Sequence, residues 1–445
     1  MDERRRVKMN VILSIIKRYS FLENSIIKAS EIIALVWAFI YFFCLLASYY
    51  IIRPLRDEMG IAGGTENLPW LFTGTFLVML LAVPLFGWVT SNYPREKFIP
   101  YVYGFFIAVI IGFFTLFSSG LKHANVARSF YIWASVYNLF IVSVFWSFMA
   151  DIFTNNQAKR LYGFIAAGGT IGALTGPALT VYLVQYTGPT NLLPLSAFFL
   201  LGAILCVKQL NRWQMLSNRS GEKIRNNEPE SDKPMGGNPL AGIRLVATSP
   251  YLLGICMLML LYTTLSTFMY LEQAEIVKTS FSDSSQRTAV FAGMDLAVNM
   301  LTLIIQLFLT GRIVKMIGLG KTLMIIPLVL SLGFLALGFS PVLPVLIIVQ
   351  VLRRAGNYAI MKPAREMLYV SLGKEEKYKA KNFIDTTIYR GGDAVSAWFF
   401  GGLRAVGLGL AGIAFIGVPL ALIWAWVSFK LGNENEKMEA IVEFS

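Results

Sequence analysis

Charged side chains stand inside or directly beside apolar stretches of this sequence. The stretch SYYIIRPLRDEMG (48–60) closes a long apolar run with Arg53, Arg56, Asp57 and Glu58. An arginine can hold a phosphate or a carboxylate through two parallel hydrogen bonds, and it stays protonated in proteins. An ionisable group at membrane depth normally faces a charged partner or an aqueous cavity. The stretch is therefore either an ordinary membrane boundary or part of an anion-binding site.

The spacing within this stretch predicts a shared helix face. Arg53 and Arg56 are three residues apart and Asp57 is four from Arg53, so a continuing helix would pair Arg53 with Asp57. Pro54 is expected to bend or end the helix, and the first membrane span is assigned to residues 31–52. We interpret Arg56 as a cation that faces a substrate and the Arg53–Asp57 pair as a gate.

Polar side chains recur in two other apolar segments of the chain. Asp151 closes the fourth span, and the eighth span carries Asp295, Asn299, Thr302 and Gln306 at helical spacing. A stripe of this kind is difficult to explain as a surface that faces lipid. It predicts a helix face turned toward protein or toward an internal cavity.

The densest charges lie in two later segments, VLRRAGNYAIMKPAREMLYV (351–370) and IDTTIYRGGDAVSAW (384–398). Their spacing favours the local pairs Arg365–Glu366 and Arg390–Asp393, as structural or gating pairs. Basic residues exceed the nearby acids, which indicates an anionic substrate. The predicted substrate-binding residues are Arg53, Arg56, Asp151, Asp295, Asn299, Arg354, Lys362 and Arg390. The predicted gating residues are Asp57, Arg365, Glu366, Asp385 and Asp393.

The composition places these charges in a membrane protein. The 445 residues are 56% hydrophobic and only 15% charged, and apolar runs of span length recur along the whole chain. Each such run can cross about 30 Å of hydrocarbon as a helix. The net charge of +13 fits basic cytoplasmic loops, so no nucleic-acid partner is expected. One histidine and three cysteines without a CxxC pattern give no material for a metal site, a cofactor or classical enzyme catalysis.

The apolar runs predict twelve transmembrane helices in two halves. QAKRLYGFIAAGG (157–169) and KAKNFIDTTIYRGG (379–392) echo one another at matching places in the two halves. An all-α, major-facilitator-like fold of two pseudo-symmetric six-helix bundles follows, with a substrate site near the midplane. The glycines of GGTIGALTGP (168–177) are expected to let helices pack closely. The predicted limits are an N-terminal segment 1–30, a first bundle 31–210, a linker 211–248, a second bundle 249–432 and a tail 433–445.

Basic residues predict the orientation of the chain. They concentrate in the N-terminal segment, in the linker and in the loop 372–381, whereas YTGPTN (186–191) and FSPVLP (339–344) on the opposite side carry none. Because Lys and Arg accumulate on the cytoplasmic side, both termini are expected in the cytoplasm. The prediction is a monomer in a bacterial inner membrane, with the lipid bilayer and a small anion as its partners.

Three motifs occur in order along both halves: SYYIIRPLRDEMG, VFWSFMADIFTNNQAKRLYGFIAAGGTIGALTG (144–176) and KPAREMLYVSLGKEEKYKAKNFIDTTIYRGGDAVSAW (362–398). Together they resemble the non-mitochondrial ATP/ADP translocases of plastids and obligate intracellular bacteria. The resemblance implies a carrier that exchanges an external nucleotide for an internal one. It also implies that Arg56 and Arg390 stand in place of lysines, and Asp151 in place of a glutamate. Arginine and lysine bind phosphate differently, so the substrate of a divergent branch need not be ATP.

Three hypotheses of function remain open. In the first, a nucleotide or another anionic metabolite is exchanged by alternating access, with Arg56 and Arg390 as a clamp that Asp151 and Asp295 release. In the second, a proton-coupled facilitator moves another organic anion or a lipid head group, and the same aspartates carry protons. In the third, the chain is a membrane scaffold with fixed ion pairs. Convergence of Arg53, Arg56, Asp295 and Arg390 on one cavity would favour transport over the scaffold.

Overall fold

The computed structural model describes residues 31–92, 95–120, 124–219 and 241–443. The N-terminal segment 1–30 and residues 220–240 of the predicted linker lie outside the described residues. Eleven helices of the described part are long and apolar enough to cross a membrane, which confirms the all-α polytopic fold. The eleventh of the twelve predicted spans, 382–406, is helical through Ala405 but is not among the eleven.

The described part of the first half contains six long helices, and α1 differs from the prediction. The helix α1 runs through Pro54 and extends past the predicted limit at residue 52. It stops before Gly63 and Gly64, and Gly64 has a φ of +93° that favours glycine. The six helices are α1 (Ile32–Ala62), α2 (Leu68–Asn92), α3 (Arg95–Ser118), α4 (Ala124–Ile152), α5 (Asn155–Thr187) and α6 (Leu192–Arg219).

The second half contains ten helices within the described residues, interrupted by two π-helical turns. One turn, Asn357–Met361, joins α12 to α13, and the other, Ile384–Ile388, joins α14 to α15. The first turn ends just before α13, whose second residue is Pro363. The helices are α7 (Ala241–Thr248), α8 (Pro250–Ser280), α9 (Ser284–Phe308), α10 (Thr310–Ile317), α11 (Leu319–Phe339), α12 (Leu343–Gly356), α13 (Lys362–Met367), α14 (Lys374–Phe383), α15 (Tyr389–Ala405) and α16 (Leu410–Glu443).

Buried apolar side chains form two separate clusters. One consists of side chains from α1 and α3 to α6. The other consists mainly of side chains from α8 to α16, joined by the ends of α1, α2 and α4 that carry Ile61, Leu68, Leu71 and Tyr131. Each half thus has its own core, and the polar residues between the two cores are free to form a site. The exact domain limits stay a prediction.

Glycines of the GGTIGALTGP segment lie directly against the backbone of α1. A Cβ added at Gly168 would lie 2.3 Å from the carbonyl oxygen of Phe39, and one at Gly172 would lie 2.4 Å from that of Phe43. No side chain fits such a gap, so α5 and α1 reach this distance only because glycine stands at these positions. The close packing predicted from the motif is confirmed.

Candidate functional site

A central cavity of about 230 Å³ lies between the two halves. Its walls come from α1, α2 and α4 on one side and from α8, α12, the first π turn and α15 on the other. The predicted residues Arg53, Arg56, Arg354 and Arg390 all line it. Three of the four residues whose convergence would favour transport over a scaffold, Arg53, Arg56 and Arg390, therefore share one cavity. The charged lining residues are Arg53, Arg56, Asp57, Arg353, Arg354, Arg390 and Asp393.

Asp295 joins two of these arginines across the two halves. Arg53 of α1 has its Nε 3.6 Å from Asp295 Oδ2, and Arg354 of α12 donates a hydrogen bond to Asp295 Oδ1. Asp295 is only 1% exposed. The predicted Arg53–Asp57 pair is wrong, because the guanidinium of Arg53 faces α9 instead of the next turn of its own helix.

Asp57 pairs with its neighbour Arg56 and also contacts the second half. Arg56 donates to Asp57 Oδ1 from NH2 at 2.6 Å and from Nε at 3.0 Å. The hydroxyl of Tyr270 on α8 donates to the same oxygen at 3.0 Å. The guanidinium of Arg56 also lies 5.4 Å from the ring centre of Tyr131, within cation–π range. Arg56 thus reaches the cavity with part of its charge already compensated.

Arg353 is the cavity arginine with neutral partners. Its Nε and NH2 donate to Gln350 Oε1 at 3.1 and 2.8 Å, and its NH1 donates to Ser266 Oγ at 2.8 Å. Arg390, in contrast, lies 3.8 Å from Asp393, which also accepts from Thr267 at 3.3 Å. The sequence marks Arg353 as one charge of a dense segment, but nothing in the spacing distinguishes it from Arg354.

The charges of the central cavity do not balance. Five lining guanidiniums face two lining carboxylates, and buried Asp295 adds a third, so two positive charges remain. Two unit charges 4 Å apart attract by about 4 kcal/mol at an effective dielectric constant near 20. The walls also carry a set of aromatic side chains on which a flat ring can stack, namely Tyr49, Phe72, Phe76, Tyr131, Tyr262, Tyr270, Tyr358 and Tyr389. The cavity therefore suits an anion with more than one charge and an aromatic group.

A second cavity of about 630 Å³ continues from the first toward the end of the molecule that carries the termini. The two share wall residues, among them Tyr358, Tyr389 and Arg390. Lys362 lines this second cavity and not the central one. One wall, from α2 and α4, is apolar and consists of Phe76, Met79, Leu80, Val83, Pro84 and Leu139.

Ion pairs in the second cavity differ from the predicted ones. Arg365 lies 3.7 Å from Asp385 of the second π turn, and Glu366 accepts a hydrogen bond from Lys381 of α14. The predicted Arg365–Glu366 pair is therefore wrong, since each residue pairs across to the next helical segment. These pairs connect α13 with α14 and the second π turn.

Three predicted substrate-binding residues line neither cavity, and of these Asp295 contacts lining arginines whereas Asp151 and Asn299 have other partners. Asp151, at the end of α4, has its backbone carbonyl 3.4 Å from the side-chain amide of Gln214 and lines neither cavity. Asn299 donates to the carbonyl of Ala173 at 2.7 Å and accepts from Tyr50 at 3.3 Å. Asn299 of the predicted polar stripe therefore packs where α9 meets α5. Asp295, on the same stripe, contacts the arginines.

The end of the molecule opposite the termini is closed by contacts between the halves. Arg287 of α9 donates to both carboxylate oxygens of Glu58 on α1, each at 2.7 Å. Glu58 is 1% exposed. Nearby, Lys278 donates to Thr65 at 2.9 Å, so α1 and the turn that follows it are tied to α8 and α9. The sequence analysis did not select Glu58 or Arg287.

Two cores joined around a charged central cavity define a polytopic protein of the transporter class. Among the described residues no cluster of His, Cys, Asp or Glu could hold a metal ion. The family model described as Major Facilitator Superfamily matches residues 70–380. The chain belongs to the Major Facilitator Superfamily.

The chain is similar to proteins named as ADP,ATP carriers. It is 22% identical over 458 residues to ADP,ATP carrier protein 1 of Chlamydia muridarum, an alignment that covers 88% of this chain and 86% of that protein. It is also 22% identical over 413 residues to ADP,ATP carrier protein 2, chloroplastic, of Arabidopsis thaliana, covering 77% of this chain and 64% of that protein. The resemblance inferred from the three motifs is confirmed, and these relatives are carriers, not enzymes.

Solved transporter structures share the fold. A bacterial homologue of the iron transporter ferroportin in an inward-facing state matches with a TM-score of 0.63 and 13% identity, covering 91% of this chain and 100% of its own. The nucleoside transporter NupG matches with a TM-score of 0.61 and 12% identity, covering 92% of this chain and 99% of its own. At such identities the likeness establishes the fold alone.

Proposed function

We propose that the protein is a secondary transporter that exchanges nucleotides, with ATP and ADP favoured, by alternating access. The observation that carries the proposal is the central cavity, where arginines from both halves outnumber carboxylates by two. A nucleotide supplies several phosphate charges and an aromatic base, which match the arginines and the aromatic walls. The names of the ADP,ATP carriers that align with most of the chain support the same substrate.

The mechanism rests on competition between substrate and carboxylates for the arginines. Without substrate, each carboxylate compensates part of the arginine charge. Asp57 faces Arg56, Asp295 faces Arg53 and Arg354, and Asp393 faces Arg390. A phosphate group that displaces one of these carboxylates gains charge-assisted hydrogen bonds to arginines of both halves. The halves are thereby drawn together around the substrate.

The conformation fits one step of this cycle. The cavity continues toward the end with the termini, while the Glu58–Arg287 pair joins the halves at the other end. With both termini in the cytoplasm of a bacterial inner membrane, as the basic residues predict, this state faces inward. A monomer suffices for the mechanism, because both halves of the cavity come from one chain.

Counterflow in liposomes tests the proposal. Vesicles preloaded with ADP or ATP and containing the purified protein are expected to take up labelled nucleotide. Arg56→Ala and Arg390→Ala are expected to lower uptake by about tenfold or more, because each removes a charge-assisted contact. Arg312→Ala, on an exposed part of α10 outside both cavities, is the matched control and should leave uptake unchanged. Normal counterflow in both cavity variants would refute the arginine clamp.

One buried carboxylate favours the proton-coupled alternative. Glu272 of α8 is 1% exposed, and its Oε1 has no hydrogen-bond partner among the described residues. An isolated ionised carboxylate is so costly to remove from water that such a group normally carries its proton. If Glu272 moves this proton during transport, an uncoupler collapses uptake and Glu272→Gln makes uptake insensitive to it. Uptake that ignores the uncoupler excludes this alternative.

A further inference from the structure

Arg353 differs from the other arginines of the central cavity in its partners. Arg53 and Arg354 face Asp295, Arg56 faces Asp57, and Arg390 faces Asp393. Arg353 is 8% exposed and donates only to the neutral oxygens of Gln350 and Ser266 in the described part of the chain. A guanidinium out of bulk water without a counter-charge is unfavourable. The position is therefore one at which an anion is expected to bind strongly.

Gln350 holds the guanidinium in place without neutralising it. Its side-chain nitrogen donates to Gln273 Oε1 at 2.7 Å and to the carbonyl of Met269 at 3.2 Å. Arginine has only donors, so the amide oxygen of Gln350 must face it. Gln350 is 1% exposed, and its two amide atoms are thus both committed. A glutamate would have the same shape and would neutralise Arg353, but the chain has an amide here.

The carboxylate of Asp393 has partners of its own. Asp393 lines the same cavity, but Arg390 lies 3.8 Å from it and Thr267 donates to it at 3.3 Å. Arg354, the next residue along α12, is held by Asp295 and adds positive charge beside Arg353. Among the described residues no carboxylate pairs with Arg353, so an incoming anion meets an uncompensated charge there.

We infer that Arg353 receives one phosphoryl oxyanion of the substrate and that Gln350 is the positioning residue that orients it and keeps its charge uncompensated. This inference rests on the proposed function and specifies which cation meets the phosphate. A guanidinium has five N–H donors and Arg353 directs three of them at Gln350 and Ser266, so two donors remain for a phosphoryl oxygen. A carrier with a glutamate at position 350 would have an internal salt bridge in place of this subsite.

The test is Gln350→Glu, which keeps the size of the side chain and replaces its NH2 group by an oxygen. It places a carboxylate oxygen at the position that lies 2.8 to 3.1 Å from the Arg353 nitrogens. The purified protein is titrated with inorganic phosphate, pyrophosphate and ATP, and its melting temperature is followed. The variant gains a carboxylate against Arg353 but loses the donations to Gln273 and Met269, so its own ligand-free melting temperature serves as the reference. We expect it to need about tenfold or more pyrophosphate or ATP than the wild type for the same stabilisation.

Gln273→Glu is the matched control. It makes the same chemical change on the same cavity wall, but its contact is Gln350 and not Arg353. Its midpoints for pyrophosphate and ATP should stay within about threefold of wild type, as a charge one side chain farther away is more screened. Arg353→Lys keeps the charge but loses the forked contact, so its affinity is expected between those of wild type and Gln350→Glu.

The outcomes separate the subsite from the proposed function. Unchanged pyrophosphate and ATP binding in Gln350→Glu overturns the subsite, even if the wild type exchanges nucleotides normally. Pyrophosphate binding that is lost in Gln350→Glu, together with a wild type that exchanges no nucleotide, supports the subsite and rejects nucleotide exchange. A wild type that no phosphate compound stabilises overturns both.

Discussion

At the scale of single residues, Asp295 has the central position in the charge arrangement. It lies 1% exposed between arginines of the two halves and is the shared counter-ion of Arg53 and Arg354. A substrate phosphate that enters the cavity meets the same two guanidiniums. Asp295 therefore both stabilises the empty cavity and limits how tightly an anion is held, which a carrier requires because its substrate must leave again.

Removing this carboxylate should separate the two roles. In Asp295→Asn the two buried guanidiniums lose their counter-ion, so we expect the ligand-free protein to lose about 3–5 kcal/mol of stability. Anions should then stabilise the variant more than they stabilise the wild type. Melting temperatures with and without pyrophosphate measure both effects. A variant that melts like the wild type and gains nothing extra from pyrophosphate would contradict the role of Asp295 as counter-ion.

The sequence predicted which residue types form the cavity but not how they pair. Arg53, Arg56, Arg354 and Arg390 were selected because charges in apolar spans need an internal partner, and all four line the central cavity. Their partners depend on how neighbouring helices are rotated relative to one another. The spacing of residues within one helix does not determine that rotation. For the same reason Arg353 and Glu58 were missed, while Asn299 was selected although it lies in a seam between α5 and α9.

At the scale of helices, glycine sets the distance between α1 and α5. In Gly172→Ala the new Cβ would lie 2.4 Å from the carbonyl oxygen of Phe43, so the helices must separate. We expect a loss of about 1–3 kcal/mol and lower transport, because α1 carries Arg53 and Arg56. Gly163→Ala on the same helix, with nothing within 4 Å, is the control and should be neutral or stabilise by about 0.5–1 kcal/mol. Equal melting temperatures for the two variants would contradict the close packing.

The helical segments of the second half show where prediction from sequence ends. Apolar runs and turn residues were sufficient for the order of the spans and for eleven of the twelve predicted, because both follow from local composition. The π turns at Asn357–Met361 and Ile384–Ile388 were not predicted, although they place Tyr358 and Asp385 on the cavity walls. A π turn inserts one residue into a helix, and what favours it is the contact its side chains gain elsewhere in the fold. The short-range pattern contains no such information.

At the scale of the whole molecule, the net charge of the cavity favours exchange over one-way transport. When the halves close, the cavity must lose its access to water, and two uncompensated positive charges make that step unfavourable for the empty carrier. A bound nucleotide compensates the charge and lowers the cost of closing. Uptake into vesicles without internal nucleotide should therefore reach no more than about a tenth of the uptake into preloaded vesicles, a ratio that corresponds to about 1.4 kcal/mol in the barrier.

The same measurement decides between the two transport hypotheses. Labelled nucleotide is offered to preloaded and to empty vesicles, each with and without a pH gradient. Exchange predicts that preloading is required and that the gradient has no effect. Proton-coupled uptake predicts that empty vesicles accumulate substrate when a gradient is applied and lose it on addition of an uncoupler. Equal uptake by preloaded and empty vesicles without a gradient would contradict the argument from cavity charge, because an empty carrier would then close as readily as a loaded one.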